Sequence, residues 1–183
     1  IIINLFIYSI HLLQIVFKIM SIKINYLNKL SNKPLGNVVL FADEKFNIDS
    51  LKKYLSNSEF SYISDLLKNS DLKKDLLFFE VNSKKTVFLV SIKKDIKISE
   101  IENLGAKFHG YINYDKQKKY LIDSDTINSK IKNFVGYFLH GLKLKSYEFN
   151  IYKSKKNKNI ISVNVVGNKN KISTQDYLRF KAL

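Results

Sequence analysis

Cysteine and tryptophan are absent from this chain of 183 residues, proline and methionine occur once each, and there are only six glycines. The missing thiols exclude a disulfide framework and any thiolate metal site, and they fit a reducing compartment. The glycines are spread over the whole chain. They supply no dinucleotide-binding fingerprint, no P-loop and no nucleophile elbow. The three histidines, His11, His109 and His140, stand far apart, and no His-Glu-x-x-His occurs, so none has a partner at metal-ligand spacing. Arginine is almost missing too: of 31 basic residues, only Arg179 is one.

What remains is apolar and basic. A hydrophobic fraction of 45% with 13% aromatics describes a globular chain long enough for one domain with a full core. The net charge of +15 suggests nucleic acid as a partner. The charge is nearly all lysine, however, whereas readers of phosphates and guanine edges favour the arginine fork. Ile, Asn and Lys dominate throughout, as a very AT-rich coding sequence would impose. The composition therefore favours a codon-driven lysine-rich surface, with a basic nucleic-acid-binding α/β module as the alternative.

Residues 1–19 are long and apolar enough to suggest a membrane or signal segment. They lack a basic leading region and a small-residue cleavage site, and His11 and Lys18 interrupt them. The only methionine is Met20. We expect Met20 to be the native start and residues 1–19 not to belong to the native protein; a membrane anchor is the alternative.

Beyond that leader, periodicity places the elements. Ser21 to Asn28 alternates and predicts a strand. Gly36 to Asp43 is a continuous apolar run, the pattern of a strand buried on both faces. Asp49 to Ser70 has helical spacing, with two short helices broken near Asn57-Ser58. Asp75 to Val81 and Lys85 to Ile92 predict a hairpin around the polar turn Asn82-Ser83-Lys84. Ser99 and Glu102 form the pattern of a capping box for a helix with Ile101, Leu104, Gly105, Phe108 and Ile112 on one stripe. Lys119 to Asp123 is a short strand. Ser124 or Asp125 is expected to cap a helix burying Ile127, Ile131, Phe134, Val135, Phe138, Leu139 and Leu142. Burying that stripe does not offset the entropy of ordering the helix, so it must lie on a sheet. Asn159 to Val166 is a further strand, Lys153 to Lys158 a lysine/asparagine loop, and Ser173 to Leu183 begins a helix. The order predicts an α/β fold with a mixed, largely parallel sheet flanked by helices.

Few residues suggest chemistry. Asp43 and Glu44 close the buried strand and read as a solvated strand terminus. Asp123-x-Asp125 has the look of a paired-carboxylate site, but its place between strand and helix suits an N-cap. His109 and His140 adjoin apolar stripes and read as half-buried structural histidines. Gly105 and Gly110 flank a helical turn, while Gly136 and Gly141 inside a helix suggest close packing by another element. No convergent set of carboxylates with a lysine or histidine can be assembled for acid/base or two-metal work.

Four stretches carry a family resemblance. They are the strand end Phe41-Ala42-Asp43-Glu44, the helix with Leu104-Gly105-Ala106, the run from Gly141 through Tyr147-Glu148-Phe149 to Tyr152-Lys153, and the C-terminal Tyr177-Leu178-Arg179-Phe180-Lys181-Ala182-Leu183. Together with the order of elements, they resemble the N-terminal domain of the leucine aminopeptidase (cytosol aminopeptidase) family, from about Met20 to the end of the chain. The resemblance implies a domain similar to a macro domain over residues 20–168. It also implies that residues 169–183 begin a linker helix to a missing catalytic domain.

In that family the C-terminal domain holds two divalent metals (zinc, manganese or magnesium) and removes N-terminal residues from peptides, in a cytoplasmic homo-hexamer. The family's metal-site run, Asn-Thr-Asp-Ala-Glu-Gly-Arg, is absent here. The resemblance therefore assigns this chain no catalytic, metal-binding or substrate-binding residue and no cofactor of its own. Its expected partner is its own catalytic domain. A macro-domain-like fold also raises ADP-ribose binding, but glycine is too scarce at the strand ends to bring backbone amides close to a diphosphate.

Overall fold

The run Asn37–Asp43 forms the strand on which the architecture is built, because residues 37–42 are buried and no face of it meets water. The computed structural model describes residues 22–27, 36–112, 119–146 and 161–169. In chain order the strands are β1 (Ile22–Tyr26), β2 (Asn37–Asp43), β3 (Leu76–Asn82), β4 (Lys85–Ile92), β5 (Lys119–Asp123) and β6 (Ile161–Val166). The helices are α1 (Asn57–Lys68), α2 (Ile98–Ile112) and α3 (Phe134–Lys145), with 3-10 turns at Asp49–Tyr54 and Ser124–Thr126.

One six-stranded sheet results, in the order β1-β6-β5-β2-β4-β3. All neighbours are parallel except β3 and β4, which form the expected hairpin. The fold is thus mixed α/β, largely parallel, with an antiparallel edge.

Alternate residues of β2 serve two cores, as the period of a strand requires. Val39 and Phe41 join the core under α2 and α3. Val38, Leu40 and Ala42 join a second core with Leu51, Leu55 and Ile63, on the side of the first 3-10 turn and α1. In the first core Phe41 meets Phe134 and Phe138 edge-on, with ring centroids 5.6 and 5.5 Å apart. Edge-to-face rings add to the stabilisation from their buried area. α2 and α3 approach so closely that a Cβ on Gly105 would overlap the Phe138 carbonyl. Gly141 is equally hemmed in, which meets the expectation of close packing there.

The break in the first helical stretch falls at Ser56. Its hydroxyl accepts from the Glu59 N–H (3.2 Å), and the Glu59 carboxylate accepts from the Ser56 N–H (2.8 Å), a complete capping box.

Two local expectations are corrected. The box at Ser99 and Glu102 does not form: α2 begins at Ile98, and Glu100 is the residue that reaches back, accepting from the Lys97 N–H (2.8 Å). Glu102 instead faces α3. Nor does a helix start at Ser124 or Asp125. The chain makes one 3-10 turn, capped by Asp123, and α3 starts only at Phe134, after Asn133 in a left-handed conformation (φ 63°). Ile127 is buried all the same, because an apolar side chain reaches the core as well from irregular backbone.

The Tyr147–Lys153 stretch, the expected C-terminal helix and the leader lie outside the described residues. Among the described residues, no helix is long and apolar enough to cross a membrane.

Candidate functional site

Parallel strands leave their carboxyl ends on one side of a sheet, and a crevice forms where successive connections depart to opposite faces. Here that point lies between β2 and β5. The chain leaves β2 for the 3-10 turn and α1 on one face, and leaves β5 for α3 on the other. The two strands pair only from Asn37 to Val39, whereas β2 stays paired with β4 as far as Asp43. The upper half of β2 is therefore parted from β5, and a cavity of about 720 Å³ opens over the ends of β2, β4 and β5.

Three segments line it: 41–50 after β2, 92–94 after β4 and 126–130 after β5. Thr126 bridges the gap between the strands. Its hydroxyl accepts from the Phe41 N–H (3.0 Å) and donates to the Asp123 carbonyl (2.7 Å), doing for β2 what a longer β5 would have done. Asp43 shapes the first rim. Its Oδ1 accepts from the amides of Lys45 (3.0 Å) and Asn47 (2.8 Å), a turn that holds the buried Phe46 at positive φ (54°).

The charges around the cleft are nearly balanced. Asp43, Glu44 and Asp49 face Lys45, Lys93, Lys94 and Lys130. Lys93 also lies 3.5 Å from Asp75, whose carboxylate receives Lys107 as well. The Lys107 hydrogen bond leads the causes that hold the Asp75 carboxyl below its usual range, against a smaller upward push from burial.

The other sequence candidates, the Asp123/Asp125 pair, His109 and His140, are not among the residues that line the cleft. Asp123 is buried, and its Oδ1 accepts from the Asp125 N–H (3.0 Å), so a capping role falls to Asp123, and what it caps is the 3-10 turn and not α3. Burial pushes its carboxyl pKa up, the Asp125 amide opposes this, and the charge of Asp125 adds to it. Asp125 in turn accepts from the Asn168 N–H (2.8 Å), tying the end of β5 to the end of β6. Gly167, with φ 108°, makes that approach possible, since a side chain there would collide with the Ser124 hydroxyl.

His109 is fully rather than half buried on α2. His140 is half-buried, with Nδ1 2.7 Å from Glu102 Oε1, a link between α2 and α3. Among the described residues, no group of three or more His, Asp and Glu is placed to hold a metal ion. Sequence reasoning missed Thr126 and the cleft itself. The signal is the polar run Asp123-Ser124-Asp125-Thr126 at a strand end, which suits helix capping as well as a cleft rim.

A solved structure of tomato leucine aminopeptidase, in a lysine-to-glutamate mutant, is similar to this chain with a TM-score of 0.58. Identity is 15%, and the likeness covers 87% of this chain and 35% of that one. At that identity it is a likeness of fold, and this chain spans about a third of the relative's length. No protein-family model and no curated protein matches the chain.

Proposed function

We propose that this chain is the N-terminal, non-catalytic α/β domain of a leucyl aminopeptidase. The observation that carries the reading is the fold likeness, which takes up most of this chain yet only 35% of the aminopeptidase. Two thirds of the relative is thus left for a separate domain. In this reading that other domain binds two divalent metal ions (zinc, manganese or magnesium) and removes N-terminal residues from peptides, leucine by preference. The whole protein is a cytoplasmic homo-hexamer. The domain described here packs against its catalytic neighbour, contributes oligomer contacts and controls access of substrate.

Two measurements test it. The purified chain, supplied with zinc or manganese, is expected to leave leucine p-nitroanilide intact; hydrolysis by the chain alone overturns the reading. In-frame sequence beyond residue 183 is expected to carry a lysine and a cluster of carboxylates fit for two metals, and coding sequence without them overturns it equally.

The net charge of +15 supports a second reading, a basic module that binds nucleic acid. Its mark is affinity for DNA or RNA that falls steeply between about 50 and 200 mM salt. Binding that is flat over that range, or none, removes it.

A further inference from the structure

Among the described residues β3 ends the sheet, and no further strand pairs with its outer edge. The Ser91 N–H donates to the Asp75 carbonyl (2.9 Å). By the alternation of an antiparallel ladder, Leu77 and Phe79 then bond to β4, and Leu76, Phe78 and Glu80 turn their amides and carbonyls outward. Phe78 is the middle one of these three. It is 47% exposed, whereas Leu77 and Phe79 beside it are buried. Its ring lies 5.4 Å from that of Tyr111 on α2, itself 41% exposed. Soluble proteins guard such edges with charged side chains (lysine above all), proline or a bulge; β3 has one charge, Glu80, and a register irregularity after it, both at its far end. This chain has 31 basic residues and sets none of them on β3.

We infer that β3 pairs with the β3 of a second copy, antiparallel across a two-fold axis at Phe78, so that two six-stranded sheets join into one. The inference stands independently of the peptidase reading. With Phe78 opposite Phe78, Leu76 falls opposite Glu80 and Glu80 opposite Leu76. All three outward-facing residues then meet outward-facing partners, and each free amide finds a carbonyl. The two exposed Phe78 rings become a cross-strand pair flanked by the two Tyr111 rings.

The Phe78 ring pair selects this register, and charge is compatible with it. Each Glu80 lands beside Leu76 of the other copy, one residue from Asp75 and the two lysines on it, Lys93 and Lys107. Sliding two residues one way sets Phe78 against Glu80 and parts the two rings. Sliding two the other way sets Phe78 against Leu76, which gives up the ring pair although it brings Glu80 opposite Lys74. Sliding by one opposes outward residues to inward ones.

Sedimentation velocity on the full chain, from about 1 to 200 μM, tests the pairing. The expected result is a reversible monomer–dimer equilibrium. Phe78→Lys, which puts two like charges on the axis, is expected to raise the dimer dissociation constant at least about tenfold with an unchanged far-UV spectrum. Glu80→Lys is expected to raise it several-fold, and serves as the test if Phe78→Lys does not fold. Leu144→Lys, at an exposed apolar residue elsewhere, is expected to leave the dimer intact. A wild-type monomer at every concentration overturns the inference, including one that takes up an added extended peptide instead. So does growth beyond the dimer, or a Leu144→Lys variant that dissociates as far as Phe78→Lys.

Discussion

Gly141 of α3 rests against the backbone of Glu102 in α2, so close that a Cβ on the glycine would overlap the Glu102 carbonyl oxygen. Gly105 makes the reciprocal approach to Phe138. The atoms in the way are main chain and cannot swing aside. Gly141→Ala and Gly105→Ala are each expected to cost at least about 2–3 kcal/mol. In a chain of this size that lowers the melting temperature by roughly 4–12 °C. Gly110 on α2 is the control, since a Cβ there meets nothing within 4 Å. Gly110→Ala is expected to stabilise by roughly 0.5–1 kcal/mol through helix propensity alone. Thermal unfolding followed by circular dichroism separates the three. Equal effects at all three positions would contradict the close helix crossing.

Glu59 has two roles, because the carboxylate that closes the capping box with Ser56 also meets Lys85 Nζ at 2.7 Å, nearly out of water. Burial is the largest single influence on its pKa and raises it. The Lys85 hydrogen bond, the Ser56 amide and the Lys85 charge together outweigh burial, so the carboxyl stays below its usual range. Removing either partner leaves a charge without its mate in a poorly solvated place. Lys85→Ala is expected to cost about 3 kcal/mol at neutral pH. The stabilisation from ionised Glu59 is complete above its unfolded value of 4.5 and fades as pH falls through the lower folded value. The gap between wild type and Glu59→Gln in urea unfolding should therefore narrow on acidification below that point. A gap that widens there refutes the assignment.

Thr126→Val keeps the shape of the side chain but removes its bonds to the Phe41 amide and the Asp123 carbonyl. Phe41 is almost wholly buried, so its N–H is left without an acceptor, at a cost of about 1–3 kcal/mol. Denaturant titration measures this. Thr126→Ser, which retains the hydroxyl, is expected to recover most of the loss. No recovery would mean that the methyl, and not the hydrogen bonds, holds β2 to the turn after β5.

The strands were legible because alternation and apolar runs reflect burial directly: residues 36–43 read as a strand buried on both faces, and 75–92 as a hairpin. Capping was harder to read, since the same Ser-x-x-Glu spacing occurs at Ser56 and Ser99. Only Ser56 is an N-cap; Ser99 already lies inside α2, and Glu102 meets His140 of α3 instead. The stretch from Ile127 to Phe134 misleads because its apolar spacing satisfies a helix, while Asn133 in the left-handed region interrupts the backbone. The cleft had no local signature. Its lining joins segments from 41–50, 92–94 and 126–130, and charge balance there is a property of their meeting. The open edge at Phe78 was equally hidden, because Phe78 and Phe79 are alike in sequence: Phe79 is buried in the second core with Ile63 of α1, while Phe78, on the other face, lies at the rim beside Tyr111 of α2 and stays half exposed.

Asp123 offers the cleanest reading of electrostatics by pH. Its burial favours the neutral acid, so the folded chain holds this proton more tightly than the unfolded chain, whose value is near 3.8. With the folded value raised, ionised Asp123 costs stability at neutral pH. That cost disappears as pH falls through the folded value toward the unfolded one. Asp123→Asn removes the charge but keeps an oxygen to accept from the Asp125 N–H, so the 3-10 turn retains its cap. The variant is expected to be more stable than wild type at pH 7, with the advantage shrinking as the solution is acidified toward pH 4. Glu59 and Asp75 respond in the opposite direction, but they do so in both proteins and cancel from the difference. Urea unfolding of the pair at several pH values measures it. An advantage that does not change with pH would mean that Asp123 is already neutral, or as well solvated as in the unfolded chain.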